Sequence, residues 1–264
     1  MPLVFLKLGG SLITDKSREQ TVLPAALERL AHEIAAALSA QPALGLVVGH
    51  GSGSFGHTEG RKYGTRGGVH TLEQWLGFAD VAHAAAKLNR HVLDALRAAG
   101  VPALNCQPSA SAVARDTVIQ SMALDPVRNA LDNGLVPLVM GDVAVDEVRG
   151  GTIVSTEDVF RYLAEQLRPD QILLAGIERG VLTRWPEGEV IPVINSGNIQ
   201  AVRSVLRGSH AADVTGGMES KVLEMLAQAQ LKPGLIIRIF TGTRPGLVQQ
   251  MLMGGADEGT VVRA

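Results

Sequence analysis

The sequence predicts an α/β fold, and three observations carry that reading. Short apolar, β-branched runs alternate with longer stretches of helical period, as expected for parallel strands joined by helices. Glycine-rich segments follow or flank several of the strand-like runs. Ala, Leu, Val and Gly dominate while aromatics make up only 3%, which suits a core of small aliphatics between many helices and strands.

In chain order, Leu3 to Leu8 is the first expected strand, ending in Gly9, Gly10 and Ser11. A helix is expected from about Pro24 to Ala40, because Leu27, Leu30, Ile34 and Leu38 fall on one face. Gly45 to Gly49 is a second strand that runs into a glycine-rich loop. Helical character returns from Thr71 to Ala99, with Gly100 as its C-terminal stop. Leu104 to Cys106, Val118 to Ser121 and Leu135 to Met140 read as strands, and Val143 to Val154 as a hairpin. A helix starts near Ser155, and Ile172 to Ala175 and Leu235 to Phe240 are buried strands. Between these two, Lys221 sits near the start of a helix ending about Gln230.

With 264 residues the chain is long enough for one large domain or two intimate lobes, with a soft boundary near residue 176. A hydrophobic share of 46% and a charged share of 19% exclude a disordered chain. The net charge of −2 gives no reason to expect nucleic acid as partner. One cysteine, Cys106, allows no internal disulfide and fits a reducing compartment. The N-terminus lacks a signal-peptide pattern and no apolar run is long enough to span a membrane, so a soluble, cytoplasmic protein is expected.

Three glycine segments invite a chemical reading: Lys7 to Ser11, followed by Asp15 and Lys16; Gly49 to His57; and Val214 to Lys221. Glycine lets backbone N–H groups approach an anion, and a following helix adds the favourable end of its dipole. Lys7, Lys16 and Lys221 supply the positive charge that phosphoryl transfer demands. Taken singly, each loop reads first as a turn; the three together, each with a lysine or histidine within a few residues, point to anion cradles. Gly51, Gly53 and Gly56 also satisfy the spacing of a dinucleotide-binding fingerprint, which would make the chain an NAD-dependent oxidoreductase. Against that, the match follows the second strand, and no acidic residue closes a following strand about 20 positions on. No G-x-x-x-x-G-K-[ST] P-loop occurs.

At this point the segments resemble a known family. Lys7 to Ser11 at the N-terminus, and Gly216, Gly217 and Lys221 late in the chain, look like the amino-acid-kinase superfamily. Within it, Lys7 to Lys16, Gly53 to His57, Gly141-Asp142, Ser155 to Asp158 and Asp213 to Lys221 are similar to the isopentenyl phosphate kinases. Fosfomycin kinases share much of the pattern, including a histidine at position 57. The resemblance implies an open αβα sandwich of mainly parallel sheet, usually a homodimer. It implies a single domain over residues 1–264, with 1–175 mainly binding the acceptor and 176–264 mainly the nucleotide.

The resemblance also implies roles. Lys7, Gly9, Gly10 and Ser11 would contact the phosphates of ATP, supplied with Mg2+, helped by Gly53, Gly217 and Lys221. Gly176 would belong to the nucleotide loop. Lys16 would stabilise the phosphoryl group in flight. His57 would hydrogen-bond the acceptor phosphate, with Ser52 and Gly141 nearby, and Asp158 would orient the lysines. The chain departs from the pattern at Ser52, where glycine is common, at Glu157-Asp158 in place of two aspartates, and at Gly176 to Gly180, where the usual loop carries an aspartate. Asp158 has an equally good reading as a helix cap.

Trp75, Phe78 and Ala82 share one helix face; they are either plain core or, with Phe55, the apolar wall for an isoprenoid tail. His32, His50, His70, His83, His91 and His210 form no ligand-spaced cluster, so no protein metal site is expected. His50, inside the second loop, is a candidate for orienting it.

Overall fold

The computed structural model describes residues 2–184, 186–208 and 217–264, without the side chains of 57–59, 61, 207, 218 and 220. The first half runs β1 (Leu3–Leu8), α1 (Gly10–Ile13), α2 (Pro24–Ala40), β2 (Gly45–His50), α3 (Gly53–Tyr63), α4 (Leu72–Ala98), β3 (Ala103–Asn105), β4 (Val113–Arg115), β5 (Val118–Ser121), α5 (Asp125–Asp132) and β6 (Val136–Met140). The second runs β7 (Asp142–Asp146), β8 (Gly150–Val154), α6 (Thr156–Leu167), β9 (Gln171–Gly176), β10 (Val193–Ile194), α7 (Ile199–Gly208), α8 (Gly217–Leu231), β11 (Ile236–Thr241), α9 (Leu247–Leu252) and β12 (Thr260–Val262).

Eight strands form the central sheet in the order β10-β12-β11-β9-β1-β2-β6-β3. Every pairing in it is parallel except β11 with β12. Both faces are covered, and the strand pattern explains how. In β1, Val4, Leu6 and Leu8 enter one core with α2, α4 and α9, while Phe5 enters the other with α6, α7 and α8. The architecture is the expected open αβα sandwich. A smaller sheet, β5-β4-β7-β8, carries the expected hairpin as β7 and β8.

Local chemistry sets the helix limits that matter for the site. Thr71 and Gln74 form a reciprocal capping box at the start of α4, and Gly100 follows its end at φ +86°. Ser155 and Asp158 make the same box at the start of α6. The sheet passes unbroken across residue 176, since β9 pairs directly with β11. Among the described residues, no helix is long and apolar enough to cross a membrane.

Candidate active site

Because β1 lies inside the sheet, the chain leaves it toward β2 on one side and returns through β9 on the other. The C-terminal ends of parallel strands at such a reversal form a natural ligand crevice. Here the strand ends carry Gly9-Gly10, Gly51 to Gly53, Gly141 and Gly176, and all of them line one cleft of about 770 Å³. Lys7, Ser11, Lys16, Glu157 and Lys221 line it too.

The first two glycine turns touch. A Cβ on Gly10 would sit 2.4 Å from the Gly53 nitrogen, so only glycine lets the loops approach this closely. Gly53 itself has φ +49°, and a Cβ there would lie 2.1 Å from Thr14 Oγ1. Gly9 N–H donates to Ala175 O at 2.8 Å, and Gly51 N–H to Leu8 O at 2.9 Å. The next donors in each turn are left over: the N–H groups of Gly10, Ser11, Ser52 and Gly53 make no backbone hydrogen bond among the described residues. Two turns with unspent donors at adjoining strand ends form an anion cradle.

Charge is held beside that cradle. Lys7 pairs with Glu157, with side chains 15% and 22% exposed. Burial works against ionisation of Glu157, but the charge and hydrogen bond of Lys7, with Lys221 beyond, hold its carboxyl below the ordinary value. Lys16 sits in an exposed turn fixed by Asp15, whose Oδ1 accepts from Ser17 N–H at 2.9 Å and Ser17 Oγ at 2.6 Å. The Ser17 hydroxyl, then its amide, lowers the Asp15 pKa. Glu224, one turn beyond Lys221 on α8, also lines the cleft; burial, then the charge of Asp158, pushes its carboxyl up.

Several expectations need correction. Asp158 is turned onto its own helix start: its Oδ2 accepts from Ser155 N–H and Oγ, both at 2.8 Å, and its Oδ1 lies 3.6 Å from Arg161. Its neighbour Glu157 holds Lys7, because Asp158 at the third helical position is turned back onto the cap. Phe55 lies fully buried in the core, against the His91 ring, and away from the cleft. Trp75 and Phe78 meet edge to face, with ring centroids 5.1 Å apart, and cover the β8 glycines Gly150 and Gly151. The face of α4 that reaches the cleft is the adjacent one, Val81 and Ala85, opposite Ile153.

His57 lies on α3 between Gly56 and Gly60, which both line the cleft, but its side chain is outside the described residues. Gly217 opens α8, and the preceding part of the third glycine segment, with His210, is outside them as well. Sequence reasoning passed over Arg66, Val81, Ala85, Ile153 and Glu224, all in the cleft wall. The i, i+4 spacing of Val81 and Ala85 was a usable signal; Arg66 and Ile153 offered none.

Comparison with known proteins agrees with this geometry. The model of the amino acid kinase family matches residues 2–238. An isopentenyl phosphate kinase of Methanothermobacter thermautotrophicus is 35% identical, with 98% of each chain covered. One of Methanocaldococcus jannaschii is 32% identical, again over 98% of both. Among solved structures, an isopentenyl phosphate kinase superposes with a TM-score of 0.84 at 32% identity, covering 98% of this chain and 99% of that one.

Proposed function

This chain belongs to the amino acid kinase family, and on that premise we propose that its cleft carries the ATP-dependent phosphorylation of isopentenyl phosphate to isopentenyl diphosphate. The observation that carries the reading is the double glycine cradle with its unspent N–H donors beside the Lys7–Glu157 pair. Phosphoryl transfer asks a protein mainly for positioning and for compensation of charge. Lys7, Gly9, Gly10, Ser11, Gly53, Gly217 and Lys221 hold the triphosphate, and Gly176 borders the nucleoside. Glu157 keeps Lys7 aimed.

Bound ATP supplies the γ-phosphoryl group, and Mg2+ offsets part of its charge. Mg2+ would be held chiefly by the nucleotide's phosphates, as such ions are in kinase sites. Lys16, on its ordered turn, follows the phosphoryl group as it moves. His57 donates a hydrogen bond to the acceptor phosphate, near Ser52 and Gly141. A phosphate monoester has its second pKa at about 6, so at neutral pH it is largely a dianion and needs no general base. The apolar wall of Val81, Ala85 and Ile153 suits a short hydrocarbon tail. We further place the enzyme as a cytoplasmic homodimer, on the family resemblance; a solution mass of one chain would remove the dimer.

The test is ADP release with Mg-ATP against isopentenyl phosphate, dimethylallyl phosphate, fosfomycin and free amino acids. Fast turnover confined to the isoprenoid phosphates is expected. Turnover with fosfomycin alone would overturn the acceptor and keep the chemistry.

A further inference from the structure

The middle of α4 buries an amide. Leu88, Val92 and Leu96 fill the core from this helix, yet Asn89 sits among them at 3% exposure. A buried asparagine costs stability unless its polar atoms are met, and a leucine, which has the same branching, would not carry that cost. Its partner is His50, the last residue of β2 and 1% exposed, with Asn89 Nδ2 at 3.1 Å from His50 Nε2. On the far side of the ring, His50 Nδ1 lies 3.2 Å from the carbonyl oxygen of Gly51.

These two contacts allow one neutral arrangement. A carbonyl only accepts, so Nδ1 must carry the proton; Nε2 is then bare and must accept, which the Asn89 amide satisfies. Burial, against the Gly51 hydrogen bond and with help from Lys7, holds the ring's pKa at about 4, so the ring stays neutral. The backbone of His50 is tied as well: its carbonyl accepts from Thr156 Oγ1 at 2.6 Å and from Gly141 N–H at 3.4 Å.

We propose that His50 is a positioning residue for the phosphate cradle: locked by Asn89 as the Nδ1–H tautomer, it fixes the Gly51 carbonyl and so aims the Ser52 N–H into the cleft. In a trans peptide the carbonyl and the following N–H point in opposite directions, so pinning one pins the other. Gly51, between β2 and α3, has no side chain to resist rotation of that peptide, and the histidine supplies the restraint that glycine lacks. The inference rests on the cradle being the triphosphate site, and it assigns the orientation of that site to a side chain outside the cleft.

Three variants and one spectrum test it. His50→Leu keeps volume and removes the donor; His50→Asn keeps an N–H near the Nδ1 position; Asn89→Leu removes the lock and touches nothing in the cleft. Turnover, the KM for ATP and the urea midpoint are measured for each, with wild-type activity as the check on the parent reading. His50→Leu should lose turnover on the order of 10-fold or more while folded, since misaimed donors no longer meet developing charge. His50→Asn should recover part of it, and Asn89→Leu should show an intermediate loss. In wild type, a nitrogen-15 spectrum of labelled histidine should report one ring protonated at Nδ1 and bare at Nε2. A His50 ring protonated at Nε2, assigned by its absence from the His50→Leu spectrum, or a folded His50→Leu with wild-type turnover and KM while the parent enzyme is active, would overturn the proposal. Should His50→Leu fail to fold, an Asn89→Leu variant that keeps both tautomer and turnover would overturn it equally.

Discussion

Replacing Glu157 by glutamine and Asp158 by alanine separates the two adjacent acids, and the structure assigns them different work. Removing one charge of a fully buried ion pair costs about 3–5 kcal/mol, and an exposed pair is worth about 0–1 kcal/mol. Lys7 and Glu157 are roughly one-fifth exposed, and Lys7 opens onto the cleft, so Glu157→Gln should cost about 1–2 kcal/mol. Its larger effect falls on turnover, reduced about 10- to 100-fold, because a lysine displaced by 1 Å no longer meets the phosphates. Asp158→Ala loses half a capping box and a weak contact to Arg161, for about 1 kcal/mol, with turnover close to wild type. The assay is urea unfolding beside kcat and the KM for ATP. In pH scans the sign is set by the lowered pKa of Glu157: the pair's contribution is present above the ordinary value of 4.5 and is lost as pH falls through the folded one. A larger turnover loss in Asp158→Ala than in Glu157→Gln would refute the assignment of Lys7 to Glu157.

The other predictions concern residues on either side of this pair. His57→Ala should cut turnover heavily and His57→Gln restore part of it; wild-type turnover in a clean His57→Ala preparation would remove the residue from the reaction. Gly10→Ala places a Cβ 2.4 Å from the Gly53 nitrogen, so the cradle must open; a turnover loss of about 100-fold is expected, read against a stability loss of about 1–3 kcal/mol. Phe55→Ala should lower stability by about 3–5 kcal/mol as a core truncation, yet leave the preference among acceptors unchanged at temperatures where it remains folded.

Much of this was legible from the amino-acid order, for reasons that lie in particular residues. Leu3–Leu8 and Pro24–Ala40 fall where periodicity places them, because both elements are buried regularly along one or two faces. Lys7 and the two glycine turns come together as expected because each sits at a strand end, and parallel strands bring their C-terminal ends to one edge; Lys16 reaches the same cleft from the turn after α1. Side-chain direction was harder to read. Position alone does not tell that Asp158 folds back onto Ser155 while Glu157 reaches across to β1; that follows from the capping geometry at the start of α6. Trp75 and Phe78 share a face, as the spacing says, but which neighbour that face meets depends on where the β7–β8 hairpin packs. Phe55 was misread because its helix borders the cleft while its own ring turns inward.

The most direct test of the central claim is a phosphorus-31 NMR time course of enzyme, Mg-ATP and isopentenyl phosphate. The account predicts loss of the ATP γ signal and of the monoester signal together, with two new mutually coupled signals of a diphosphate ester growing in equal intensity. Growth of inorganic phosphate with the monoester signal unchanged would contradict it, since the cradle would then hold ATP without delivering its phosphoryl group to the acceptor.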